Sequence, residues 1–118
     1  VAREAAQTWR CTVVLKGAYT VVANAAGHAT LIPFANPSMA TAGTGDVLAG
    51  AIVGLMAQGL AGYAAAVCGA YLHALAGELW RSHYGVSGML ASDLLARLPE
   101  AASLVRGQTK PRMMHTAR

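Results

Sequence analysis

Between Val47 and Gly77 there is no Asp, Glu, Lys or Arg, a run of thirty-one residues without formal charge. An uncharged run of that length raises the question of a membrane span, because about 20 apolar residues can cross a bilayer. Gly50 and Gly54 add the G-x-x-x-G spacing of packed membrane helices. Two features count against a span. Gln58-Gly59-Leu60-Ala61-Gly62 reads as a helix stop and restart, and alanine fills much of the run, giving little apolar bulk per residue. The expectation is two helices, Gly45 to Gln58 and Gly62 to His83, buried in a soluble domain. Small residues at Gly50, Gly54, Ala65, Gly69 and Ala76 would let them pack closely.

Other scarcities narrow the function. The two cysteines, Cys11 and Cys68, lack metal-site spacing and cannot form a disulfide framework, so both are expected to be buried thiols in a reducing compartment. Aromatics make up 6% of the chain. The charges through Val105 cancel, five bases against five acids, so there is no basic, aromatic platform for nucleic acid. The net charge of +4 resides in Arg106, Lys110, Arg112 and Arg118. Residues 106–118 therefore read as a basic, disordered tail on a domain of residues 1–105. There is no Walker A lysine and no G-x-S-x-G nucleophile turn. The chain starts at Val1 with no initiator methionine and no basic-then-apolar leader, so no signal peptide is expected, and the start is either processed or internal to a longer protein. The location expected for the chain is cytoplasmic. At 118 residues it suits one small domain.

What is present is a short α/β pattern. Ala2, Ala5, Ala6 and Trp9 recur at helical spacing. Cys11 to Leu15 is a β-branched run consistent with a strand buried on both faces. Tyr19 to Ala23 resumes strand character, Asn24 to Gly27 supplies a turn, and His28 to Pro33 returns as a hairpin. A helix leading into a strand suits a βαβ unit whose first strand lies upstream of Val1. Ser92 is a candidate N-cap for a helix from Asp93 to Leu98, interrupted by Pro99.

The residues with chemical potential gather around Asn36 to Asp46, reading NPSMATAGTGD. Gly43 and Gly45 permit a tight turn and a close approach to the backbone. A helix starting near Gly45 would point its free N–H groups and positive dipole end at the same spot, a natural seat for an anion. Asp46 is either a cap on that helix or a base that takes a proton from a substrate hydroxyl. Thr41 and Thr44 either touch phosphate or cap the helix. Lys16 is either a strand-end charge reaching water or a cation meeting a nucleotide. His73 is expected to be a buried, hydrogen-bonded histidine, since no second ligand stands at metal spacing.

Two stretches together resemble a known family. Val13-Val14-Leu15-Lys16-Gly17-Ala18-Tyr19-Thr20 and Asn36 to Asp46 resemble the ADP-dependent NAD(P)H-hydrate dehydratases of the ribokinase-like superfamily. Tyr71-Leu72-His73, Ala76-Gly77 and Gly88 to Leu94 are similar to the C-terminal half of that family. Ser38 departs from it, standing where a glycine is expected. The resemblance implies the C-terminal part of a three-layer α/β/α domain: short strands, then two or three helices rich in small residues. It implies dehydration of hydrated NADH or NADPH with consumption of ADP (or ATP), accompanied by Mg²⁺. Carried across by motif, Lys16, Gly17, Ala18, Tyr19 and Thr20 would bind the adenine nucleotide. Gly43, Thr44 and Gly45 would meet its phosphates, and Asp46 would meet the hydrated nicotinamide and activate its hydroxyl. A domain of this kind needs roughly twice the length, so the chain is expected to be a C-terminal piece with the nucleotide half of a site, and a homo-oligomer. Two alternatives stay open: another ribokinase-like small-molecule kinase, and a non-catalytic piece that only binds nucleotide.

Overall fold

The computed structural model describes residues 1–107, the side chains of Pro37 and Ser38 aside; most of the basic stretch lies outside them. The elements run α1 (Ala2–Trp9), β1 (Val13–Leu15), β2 (Val21–Ala23), β3 (Ala29–Leu31), a short 3-10 helix (Pro37–Ala40), α2 (Thr44–Ala57), α3 (Gly62–Tyr84) and α4 (Ala91–Arg106). The strands form one antiparallel sheet in the order β1-β2-β3, with Val14 opposite Val22 and Val22 opposite Thr30. The hairpin turn falls at Asn24 to Gly27. There Gly27 takes a φ of 97°, and the Asn24 N–H donates to the His28 carbonyl at 3.0 Å.

Alternation along the strands makes three layers. Val13, Val21 and Ala23 point to one face and pack on Ala2 and Ala6 of α1. Val14 and Val22 point to the other and meet Leu48 of α2 with Ala66 and Ala70 of α3. A third cluster joins α3 to α4 through Ala76, Leu79, Trp80, Leu94 and Ala101. α3 thus touches both of the other long helices and is the spine of the domain. Its charge-free first half is explained by that burial, and no described helix is long and apolar enough to cross a membrane.

Several expectations need correction. β1 is not buried on both faces: Val13 and Val14 are half-buried and Leu15 is exposed, because β1 is an edge strand and α1 covers only part of its face. Trp9 ends α1 at 67% exposure, past the alanines that meet the sheet. Both cysteines are free and exposed, not buried: Cys11 follows α1 and Cys68 lies on the outer face of α3. Pro99 does not end its helix. α4 starts two residues earlier than Ser92 would cap it, with the Leu90 N–H donating to Asp93 Oδ2 at 2.8 Å. It then runs through Pro99 to Arg106 and stops at Gly107 in the left-handed conformation. The carbonyl that Pro99 leaves without an N–H belongs to Leu95, on the exposed side of α4. Buried Leu94 and Ala101 hold the helix on either side.

Among the small residues, Gly69 marks the crossing of α2 and α3. A Cβ there would lie 2.7 Å from Ile52 Cγ1 and 3.3 Å from the Ile52 backbone. Gly50 and Gly54 are instead exposed with open space around them, so neither brings helices together. Gly69→Val is expected to destabilise the fold by about 1–3 kcal/mol through overpacking. Gly54→Ala is expected to stabilise it by about 0.5–1 kcal/mol through helix propensity. Urea midpoints of the two variants check both signs.

Candidate functional site

A cleft of about 740 Å³ opens where the hairpin faces the start of α2. Its lining is mixed in character. Ile32, Phe34, Met39, Ala70 and Ala74 contribute apolar lining, while Lys16 and the turn Gly43-Thr44-Gly45 contribute polar lining. Gly17, Ala18 and Thr20, between β1 and β2, complete the polar rim.

The turn is built from the residues the sequence singles out. Gly43 has a φ of 92°, a region that favours glycine, and serves as the N-cap of α2. Its carbonyl accepts the N–H groups of Asp46 at 3.1 Å and Val47 at 3.3 Å. The Thr44 hydroxyl is used up inside the turn, directed at the carbonyls of Met39 at 2.9 Å and Thr41 at 3.0 Å. Gly45 has no side chain to keep the Lys16 ammonium away, and a Cβ there would collide with Nζ. Lysine charge and helix N-terminus are both positive and meet at one spot, which makes that spot attractive to an anion.

His73 closes the floor. It is 8% exposed, and its Nε2 lies 2.9 Å from the Thr44 carbonyl. A carbonyl only accepts, so Nε2 carries the proton. Burial lowers the imidazole's pKa below its ordinary value, the Thr44 hydrogen bond opposes that shift, and the Lys16 charge adds to it. The expected buried, hydrogen-bonded histidine is thus observed. Its linkage has a definite sign. An unfolded histidine titrates near 6.5, so below that pH the unfolded chain binds the proton more readily than the folded one. Stability is therefore complete above about pH 6.5 and falls as the pH drops toward the lowered folded value. Urea midpoints from about pH 7.5 to about pH 5.5 should decline less steeply in His73→Gln. Parallel declines would remove His73 as the source.

Of the nucleotide-binding candidates, Lys16, Gly17, Ala18, Thr20, Gly43, Thr44 and Gly45 all line the cleft. Tyr19 and Asp46 stand outside that lining. Tyr19 is 55% exposed, and Asp46 is an exposed residue in the first turn of α2. The sequence reading missed the apolar lining of Ile32, Phe34 and Ala70, which comes from the segment after β3 and from α3 and carries no local signal. The described residues contain no group of three His, Cys, Asp or Glu that could hold a metal ion.

The chain is similar to known proteins in sequence and in fold. Residues 1–100 match the family model described as NAD(P)H-hydrate dehydratase. The bifunctional NAD(P)H-hydrate repair enzyme Nnr of Moorella thermoacetica is 48% identical over 99 residues, which are 84% of this chain and 19% of that protein. The ADP-dependent (S)-NAD(P)H-hydrate dehydratase of Neisseria meningitidis serogroup B is 42% identical over 84 residues, covering 70% of this chain and 28% of its own. In structure, the chain is similar to the ADP/ATP-dependent NAD(P)H-hydrate dehydratase of Bacillus subtilis co-crystallized with ATP/Mg²⁺. The TM-score is 0.82 at 34% identity, over 86% of this chain and 37% of that one. The chain thus spans well under half the length of each relative.

Proposed function

This chain belongs to the NAD(P)H-hydrate dehydratase family, and on that premise we propose that it forms the nucleotide half of a site that dehydrates hydrated NADH or NADPH at the expense of ADP. The observation that carries the reading is the convergence of Lys16 with the Gly43-Thr44-Gly45 turn in a cleft that also has apolar lining. Adenine suits the apolar lining, and the diphosphate suits the cation and the helix N-terminus. Residues 1–105 form the partial dehydratase domain in this reading. The wall facing the hydrated nicotinamide is assigned to the parts of the relatives' fold outside the matched span.

The substrate hydroxyl attacks the terminal phosphorus of ADP, the bond to AMP breaks, and Asp46 takes the hydroxyl proton. The hydroxyl is now a phosphate ester, a better leaving group. Loss of phosphate from one ring carbon and of a proton from its neighbour restores the double bond of the dihydronicotinamide. Lys16 and the turn hold the phosphates and offset their negative charge during transfer. Mg²⁺ does not find a three-ligand set among the described residues. Mg²⁺ accompanying the nucleotide would supply charge neutralisation beside Lys16 and the turn. Two exposed free thiols suit the reducing cytoplasm, and covering the β1 edge suits a homo-oligomer.

Calorimetric titration with ADP, followed by an assay of ADP-dependent loss of hydrated NADH, tests the proposal. Saturable ADP binding supports the nucleotide half. Failure to bind ADP or ATP overturns it, and ATP-dependent phosphorylation of another alcohol without loss of hydrated NADH would assign the site to a kinase.

A further inference from the structure

We infer that His73 is the positioning residue for the anion-binding turn, holding the first turn of α2 against α3 through the hydrogen bond from its Nε2–H to the Thr44 carbonyl. The anion in this statement rests on the nucleotide reading above; the positioning itself does not.

The contact joins residues 29 apart in sequence and is buried. It ties the turn to the most extensively buried helix of the domain. One helical turn further along α3, Gly77 makes room for Met39, whose sulfur occupies the place of a Cβ. The Met39 carbonyl in turn accepts from the Thr44 hydroxyl at 2.9 Å. His73 and Gly77 are four apart, on one face of α3. That face therefore holds the turn twice, once through α2 and once through the 3-10 helix before it.

A generic buried histidine needs only some acceptor. This one uses the backbone carbonyl of a residue whose own position sets where Gly43 and Gly45 face the cleft. Gly43 has little latitude to compensate, since its left-handed conformation and the Ala91 Cβ, 3.1 Å from where its own Cβ would stand, confine it from the α4 side. Losing the His73 contact should therefore shift the turn itself, and not only loosen the core around α3.

Two amide substitutions separate positioning from packing. Gln places its amide nitrogen close to the position of histidine Nε2, whereas Asn reaches only as far as Nδ1 and falls short of Thr44. The experiment compares the wild-type chain, His73→Gln and His73→Asn by amide spectra, imidazole ¹⁵N shifts and ADP titration. In the wild type the ¹⁵N shifts should report the Nε2–H tautomer. His73→Asn should move the Gly43, Thr44 and Gly45 amide signals and raise the ADP Kd about tenfold, the worth of a buried hydrogen bond. His73→Gln should keep both near wild type. Urea unfolding of each variant monitors the fold. The inference is overturned if His73→Asn lowers stability yet leaves the turn amides and the ADP Kd in place. It is equally overturned if Gln fares as badly as Asn, or if the proton resides on Nδ1. A wild-type chain that binds no ADP would refute the nucleotide reading, while the amide and ¹⁵N data would still decide the role of His73.

Discussion

Asp46→Asn is expected to lower the turnover of hydrated NADH at least about 10²-fold, because the substitution keeps the shape of the side chain and removes its basicity. The ADP Kd should change little, since Asp46 stands outside the lining of the nucleotide cleft. The fold should hold as well. Asp46 is exposed in the first turn of α2, where a carboxylate complements the helix dipole by about 0.3–1 kcal/mol and an amide retains part of that. The signature is therefore a fall in kcat with the nucleotide affinity and the urea midpoint near wild type. An unchanged rate would leave Asp46 as a dipole-complementing residue only. A large rise in the ADP Kd would place its carboxylate at the nucleotide and not at the hydroxyl.

Lys16→Met is expected to raise the ADP Kd by about 10- to 100-fold, the range of a charge-assisted hydrogen bond of roughly 1.5–3 kcal/mol. Methionine keeps an unbranched apolar stem, so packing at the end of β1 is largely preserved while the ammonium is lost. Because the interaction is between charges at an open cleft, wild-type affinity should weaken as salt rises, and the variant should respond less. Gly45→Ala provides the complementary view: its methyl group occupies the space of the Lys16 ammonium, which a flexible lysine can vacate. The protein should fold normally and bind ADP more weakly. If Lys16→Met binds ADP as the wild type does, the convergence of Lys16 with the turn has no part in nucleotide binding.

The relation between the two substitutions separates halves of the mechanism. Lys16 holds the phosphates and offsets their charge during transfer, so its loss should be visible in binding as well as in turnover. Asp46 acts on the hydroxyl, so its loss should be visible only in turnover. Lys16 and Asp46 both belong to stretches that could be picked out along the chain, yet the structure gives them unlike surroundings: one faces the cleft and the other stands in solvent beside it.

Much of the fold was legible because its signals are local. The hairpin followed from two β-branched runs around Asn24 to Gly27, and the α2–α3 break from Gln58 to Gly62. The turn before α2 was legible because left-handed backbone at Gly43 demands glycine whatever surrounds it. Errors fell where burial, not local conformation, was being read. Cys11 and Cys68 are apolar enough to lie inside, but a turn and an outward helix face put them in solvent. Gly50 and Gly54 matched a packing spacing while pointing away from every neighbour, and Gly69, without such a spacing, marks the true contact. Pro99 removes one hydrogen bond, and the packing of Leu94 and Ala101 on α3 outweighs that loss.

By itself, the sequence determined the order of elements, the glycine turn, the uncharged stretch that opens α3 and, through two motifs at fixed separation, the family. Each depends on the chain's own dihedral preferences or on residues close together along it. Only the tertiary structure decided that Lys16 lies against Gly45, that His73 grips Thr44, and that Ile32, Phe34 and Ala70 line one cleft. Those meetings depend on which face of each helix turns toward the sheet. That choice is made by the summed burial of many side chains, and no single stretch of sequence encodes it.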